Sequence, residues 1–587
     1  MPCRRIRIMK KIKQFVLRIW PLRFIALMIF RPRWFMDEFV HSLADYRKFR
    51  DSTESYRAFL LEGPRSHSGA DAPGLLAVAG HAMNVQWCQL WAVLTAAYPR
   101  RGFVPYILTS RNQPILNLYF KLFGLQLLFM EDINTRAIPV PADIIAKFDS
   151  LDNFSEIKAF ELDRAPLGKM ALSTYSRQRM TGITDIETAE AKAEVRFWLE
   201  ELYRMGVAAR DLFRRYNIQI VFATEIFMEE YGAIYYAALQ DRLNIVRWAG
   251  TVRDNAVVVQ HMTPLSDRTH FSSFSKPSWD RIISCTDLTQ VESRLHQNFM
   301  DRYGGRWAMS TRNQPNTKIV SSEEARAELG IPPSRKVAVV YSHILYDTLF
   351  FNGEDVFSNY AEWLVETVKA ACANPKITWF IKVHPSNLWR GELTKLQGST
   401  YEEVRLIQKH VGELPHHVRL VYPDTPYSPY TWLQIADYGI TVRGTSGIEL
   451  GALGKTVITA GTGRYESAGF TLNPQTIPEY MNLLASLPDA KPPTDNQIRI
   501  GKLFAFATFC MKPFTLDFFT PVPRTGKTRI FSTDDLVYLG NFPQAMTALP
   551  KSISDFVAWS MEKDVIDFLS YWDAIRQAPQ RALGIAE

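Results

Sequence analysis

A chain of 587 residues is too long for one hydrophobic core, and roughly two to four domains are expected. Its 47% apolar and 22% charged residues place it among folded globular chains and exclude global disorder. The net charge of +8 belongs to one end: residues 1–36 carry ten Lys/Arg and no acid, and the rest carries 58 basic against 60 acidic side chains. A body so close to neutral argues against a nucleic-acid partner.

Within the basic end, Ile8, Ile12, Phe15, Val16, Ile19 and Trp20 recur at helical spacing among the cations. The longest uncharged run, residues 24–30, is far short of the roughly 20 residues that span a bilayer, and no small-residue cleavage site follows. The expectation is a peripheral amphipathic segment on an anionic membrane surface, at the cytoplasmic face. Cys3, Cys88, Cys285, Cys372 and Cys510 are scattered without a Cys-x-x-Cys pair, which fits a reducing compartment and disfavours a disulfide framework or zinc ribbon.

After a polar lead-in, apolar runs predict strands at Gly74–Gly80, Gly102–Thr109 and Leu125–Met130, with helices between them. A charge-rich helical stretch follows, notably Thr188–Tyr216. Strands resume at Ile218–Thr224 and Asn244–Gly250, separated by a helix over Gly232–Arg242. Residues 262–333 are mixed and polar, and Gly304–Pro333 reads as the connection to a second unit. That unit has predicted strands at Lys336–His343, Thr378–Val383, Val418–Tyr422, Tyr438–Val442 and Thr456–Ala460. Its helices fall at Tyr360–Ala373, Tyr401–His410, Tyr430–Ala436 and Ser446–Leu453. Aromatic-rich helical stretches such as Ser554–Ala574 close the chain. Strands alternating with helices make parallel sheets. Two consecutive Rossmann-like doubly wound units with a helical C-terminal tail predict an α/β, GT-B-like architecture. Its divisions are a basic segment 1–36, an acceptor domain 37–325 with a helical insertion, a nucleotide-sugar domain 326–493, and a helical extension 494–587.

Common fingerprints fail. Gly526-Lys-Thr528 and Gly454-Lys-Thr456 lack the upstream glycine of a P-loop, and Gly461-Thr-Gly463 lacks the third glycine of a dinucleotide turn. There is no Asp-x-Asp, His-Glu-x-x-His or Gly-x-Ser-x-Gly, which disfavours a metal-chelated sugar nucleotide, a zinc protease and an α/β-hydrolase. What remains is a set of polar strand ends. Ser446 and Glu449 have capping-box spacing where a strand turns into a helix, and such an N-terminus suits a phosphate. On the N-terminal side His81, Asn84, Glu225 and Glu229 end strands in the corresponding position. His81 or Glu225 would serve as the general base if the chemistry is inverting.

The motifs Ser342-His-Ile-Leu-Tyr-Asp347, Ile381-Lys-Val-His-Pro385, Val442-Arg-Gly-Thr-Ser-Gly-Ile-Glu449 and Ala460-Gly-Thr-Gly-Arg-Tyr465 resemble the bacterial capsule polysaccharide biosynthesis family. That family includes GT-B Kdo transferases and shares its His-Pro motif with sialyl- and polysialyltransferases. The resemblance covers about residues 335–480. It implies a metal-independent glycosyltransferase that uses a nucleotide-activated sugar, a CMP-sugar favoured, to build a surface polysaccharide, with no cofactor beyond that donor. It implies a lipid-linked or polysaccharide acceptor and polysaccharide export machinery as partners. It places Lys382, His384 and Pro385 on the donor, with His384 at its phosphate or cytidine helping the nucleotide leave. Thr445 and Ser446 would bind phosphate and Glu449 the ribose, Arg443 and Arg464 would neutralise a diphosphate or a sugar carboxylate, and His343 with Asp347 would hold donor or acceptor. Two other readings stand beside it: a phosphotransferase of related fold using a CDP-polyol, and a non-catalytic GT-B-like subunit of an assembly complex.

Overall fold

The computed structural model describes residues 24–25, 28–29, 36–62, 72–80, 84–182, 186–284, 288–311, 316–388, 401–525 and 536–569. The basic amphipathic segment lies almost wholly outside them, as do His81 and Gly526–Thr528. Among the described residues no helix is long and apolar enough to cross a membrane.

Two parallel sheets organise the chain, as the alternating pattern predicts. The first contains β1 (Gly74–Gly80), β2 (Val104–Thr109), β3 (Gln126–Phe129), β4 (Ile218–Ala223), β5 (Asn244–Gly250) and β6 (Ala256–His261). Its strands from β3 to β5 run parallel in the order β3-β2-β1-β4-β5, and β6 adds antiparallel to β5. The second contains β7 (Val337–Tyr341), β8 (Thr378–Lys382), β9 (Val418–Val421), β10 (Tyr438–Thr441) and β11 (Thr456–Thr459), all parallel in the order β11-β10-β7-β8-β9. β1 is buried along its whole length, and so are β8, β10 and β11. Helices cover both faces of such a sheet, which is why its strands read as continuous apolar runs.

In each sheet the strand order reverses at one place, between β1 and β4 in the first and between β7 and β10 in the second. Crossovers leave toward opposite faces there, and a crevice opens beyond the carboxyl ends of the strands. The residues following β7 and β10 are Ser342-His343 and Val442–Ser446, and Thr224-Glu225 follow β4. The fold thus brings the polar strand ends to the ligand-binding edge of each sheet.

The strand β6 was not among the expected elements, and the extension 494–587 is not purely helical. The helix Asp495–Phe506 packs on the second domain, where a Cβ on Gly501 would lie 2.6 Å from the Gly451 carbonyl oxygen. The chain then crosses to the first domain as β12 (Pro513–Thr515), which hydrogen-bonds antiparallel to β6. A hairpin of β13 (Phe519–Pro523) and β14 (Leu536–Gly540) and the helix Lys551–Met561 follow. Phe514, Phe518, Phe519, Val537 and Phe556 bury themselves under the first sheet with Leu75, Ala77, Phe222 and Val246. A fully buried ion pair, Lys512 with Asp567 at 2.9 Å, marks the crossing. This aromatic segment is part of the first domain's core, and its expected helix over 554–574 is confined among the described residues to 551–561.

Candidate functional site

All ten residues expected on the donor side line one cavity of about 760 Å³ between the two domains. His343, Asp347, Lys382, His384, Pro385, Arg443, Thr445, Ser446, Glu449 and Arg464 form its C-terminal wall. Arg247, His270 and Phe271 face them, and Arg302 and Tyr303 close one side. Of the expected catalytic residues, His384 lies in this cavity. Glu225 stands beside it, close enough to feel Arg247, Asp347 and Arg177, while His81 lies outside the described residues.

The cations of the cavity fall into two groups, and the difference decides what each can do. Arg443 is compensated. Its guanidinium pairs with Asp355 at 2.5 Å and donates to the Tyr360 hydroxyl at 2.9 Å and to the Thr462 carbonyl at 2.9 Å. Burial alone would lower its pKa, but Asp355 and Tyr360 outweigh burial and hold it raised. Arg443 therefore ties the loop after β10 to the 354–355 and 461–463 loops while it lines the cavity. Arg302 is compensated by Glu449, whose Oε1 also accepts from the Tyr303 hydroxyl at 2.6 Å. Glu449 thus caps nothing: the helix Thr445–Ala452 has Gly444 at its N-cap, with no side-chain cap. The capping box read from Ser446 and Glu449 is absent because the helix starts at Thr445 with Gly444 as its N-cap, which puts Ser446 inside the first turn, and Arg302 holds the Glu449 carboxylate. Asp347 is held by Arg177, from the helix Leu167–Arg179 of the first domain, so this pair bridges the domains.

Lys382 and Arg464 form the second group. Lys382, at the end of β8, is 4% exposed, has no ion-pair or hydrogen-bond partner among the described residues, and is pulled by burial down to about 8. Among the described residues the Arg464 guanidinium donates only to uncharged oxygens: Ser272 Oγ at 2.9 Å, the Arg443 carbonyl at 3.0 Å and Thr445 Oγ1 at 3.1 Å. Burial draws its pKa down to about 10. An under-compensated arginine beside a helix N-terminus that lacks a capping side chain, with a buried lysine lining the same cavity, makes a site for an anion.

The histidines divide in the same way. His343 Nε2 accepts from the backbone N–H of Val442 at 3.3 Å and of Arg443 at 3.5 Å, and its ring packs on Tyr360. Burial first, then Arg443, His384 and Arg464, push its pKa well below the usual range, so the ring is neutral with its proton on Nδ1. His343 positions the loop after β10. His384 Nδ1 accepts from Ser386 N–H at 3.3 Å and lies 2.8 Å from Ser386 Oγ, which leaves Nε2 as the N–H of a neutral ring. Glu403, buried on the helix Glu402–His410, accepts from Asn387 Nδ2 at 2.8 Å and from the His384 backbone. It fixes the His-Pro turn, and burial raises it to about 7.

The opposite wall came from stretches without an expected role. His270 repeats the local geometry of His384: its Nδ1 accepts from Ser272 N–H at 3.1 Å, two residues on. Its backbone N–H donates to the Gly463 carbonyl at 2.7 Å, which docks the loop after β6 on the second domain. Gly463 has φ of +92°, and an added Cβ would lie 2.1 Å from the Asn352 carbonyl oxygen and 2.6 Å from that of Arg268; only glycine fits. His-x-Ser at both 270–272 and 384–386 was a usable signal. So was Arg247, a lone charge inside the apolar run of β5.

No protein-family model matches the chain, and no curated protein matches it in sequence. Among solved structures it is similar to a Thermosulfurimonas dismutans KpsC, a β-Kdo 2,4-transferase, at 15% identity over 51% of this chain and 81% of that one, with a TM-score of 0.30. It is similar to a Neisseria meningitidis UDP-GlcNAc 2-epimerase at 11% identity, over 74% and 97%, TM-score 0.25. A Rickettsia africae glycosyltransferase gives 10%, 76% and 95%, TM-score 0.26. Likenesses at scores this low carry no functional weight.

Proposed function

We propose that the protein is a GT-B-type glycosyltransferase that takes a nucleotide-activated sugar, a cytidine nucleotide favoured, and passes the sugar to an acceptor in assembling a surface polysaccharide. The observation that carries this reading is a pair of under-compensated cations in one cavity: Lys382 at the end of β8, and Arg464 at the N-terminus of the Thr445–Ala452 helix, where the strand order of the second sheet reverses. The donor phosphate lies there, with the Thr445 and Ser446 backbone and hydroxyls as further donors. The His384 Nε2–H donates to the phosphate oxygens and stabilises the charge that builds as the nucleotide leaves. Glu225, raised by burial although Arg247 opposes it, is the proton acceptor for the incoming hydroxyl.

A thermal-shift panel of CMP, CDP, UDP and GDP on wild type and His384→Ala tests this reading. One cytidine nucleotide is expected to stabilise the wild type by about 2.7 kcal/mol at a hundred times its Kd, with a smaller shift in the variant. A response to UDP or GDP alone discards the cytidine donor and keeps the transferase. A folded protein that responds to no nucleotide overturns the proposal.

A further inference from the structure

We propose that Arg247 forms a second anion site on the N-terminal wall, which recognises a carboxylate or phosphate group carried by the acceptor; this rests on the transferase reading above. Arg247 lies on β5, paired in register with Ala223 of β4, and is 6% exposed. Its Nε donates to the Thr224 carbonyl at 3.4 Å, but Nη1 is buried without a hydrogen-bond partner among the described residues. Its guanidinium carbon lies 4.8 Å from the ring centre of Phe227 and 5.1 Å from that of Phe271, so two aromatic rings fix the side chain. A buried arginine that leaves donors unmade is costly, and the planar fork is shaped for two oxygens of one anion.

Glu225 does not fill that role. It makes no hydrogen bond to Arg247; its Oε1 accepts from Ile226 N–H at 3.0 Å, and its field is shared with Arg177 and Asp347. The next donor in the cavity is His270, whose Nδ1 is occupied by Ser272 and whose remaining N–H is Nε2. Both Arg247 and Arg464 act on His270, which places it between the two walls. The cavity therefore offers cations for an anion on its C-terminal wall, Lys382 and Arg464, and another anion position on Arg247 with His270. A neutral sugar acceptor would leave the second unused.

The test is calorimetric titration of D-glucuronate, D-glucose 6-phosphate and D-glucose into the full chain, with a cytidine nucleotide titrated separately. At least one acidic sugar is expected to bind and glucose is not; glucuronate alone assigns a carboxylate, glucose 6-phosphate alone a phosphate. Arg247→Met is expected to weaken that binding by at least about tenfold, with nucleotide affinity unchanged within about twofold. Arg247→Lys, which keeps the charge without the fork and guards against a misfolded Met variant, is expected to fall between. Equal binding of glucose, acid binding that survives in Arg247→Met, or no sugar bound at all overturns the site. Parallel loss of nucleotide binding also overturns it, by assigning Arg247 to the donor. Absence of nucleotide binding in the wild type is a separate failure, of the transferase reading alone.

Discussion

Lys382→Met is expected to stabilise the ligand-free protein by on the order of 3 kcal/mol and to abolish nucleotide binding. The two effects have one cause. The Lys382 ammonium is buried at the end of β8 with no partner among the described residues, and burial is what takes its pKa from 10.5 to about 8. In the unfolded chain the ammonium is hydrated and binds its proton up to about pH 10.4. Between about pH 8 and pH 10.5 the unfolded state therefore holds more protons than the folded state, and folding stability rises with pH across that window. Below pH 8 the full penalty is present; above pH 10.5 it is gone. The advantage of the methionine variant should be largest at pH 7 and shrink toward pH 10, read by urea unfolding at several pH values. A lysine that served the fold would behave in the opposite way, and its replacement would destabilise. A residue whose removal strengthens the empty protein and weakens the liganded one is kept for its ligand.

Arg443→Leu is expected to do the reverse, costing about 3–5 kcal/mol, because it strands a buried carboxylate. Both side chains of the Arg443–Asp355 pair are almost fully buried, at 4% and 6% exposure. The arginine also satisfies the Tyr360 hydroxyl and the Thr462 carbonyl. Asp355→Leu should cost a similar amount for the mirror reason. The double variant should cost clearly less than the two single costs together, since no unpaired charge then remains. Equilibrium unfolding of the four proteins measures the coupling. A loss under about 1 kcal/mol in Arg443→Leu, together with lost nucleotide affinity, would return Arg443 to the ligand.

These two residues show what could and could not be read from the chain. The strand-and-helix alternation was legible because parallel strands buried on both faces leave continuous apolar runs, and Tyr438–Thr441 and Thr378–Lys382 fall within the expected spans. The C-terminal wall was legible because polar residues that end such strands must emerge at the sheet's edge. Which cations of that wall are already spoken for was not legible, because Asp355 reaches Arg443 across 88 residues and Arg302 reaches Glu449 across 147. Capping geometry failed at Ser446 because the helix starts one residue earlier, at Thr445 with Gly444 as its N-cap, which the local spacing did not show. The return of the chain through β12 was hidden by its length of three residues, one of them proline, and by pairing with a strand some 250 positions earlier. Arg247 and His270 stand far apart in sequence from Lys382 and Arg464, and only the closure of the two domains sets them around one cavity.

The most direct measurement is calorimetric titration of cytidine nucleotides into the wild-type protein from pH 7 to pH 9.5, in buffers of different ionisation enthalpy. An anion bound at Lys382 favours the ammonium and raises its pKa above 8, so only the protonated protein binds well. Affinity should be flat below about pH 7.5 and fall by up to about tenfold per pH unit above pH 8, with uptake of up to about one proton on binding. Lys382→Met should show no binding across the same pH range. Binding that is independent of pH across this range, or no binding at all, would contradict the claim that this cavity holds a nucleotide phosphate on Lys382.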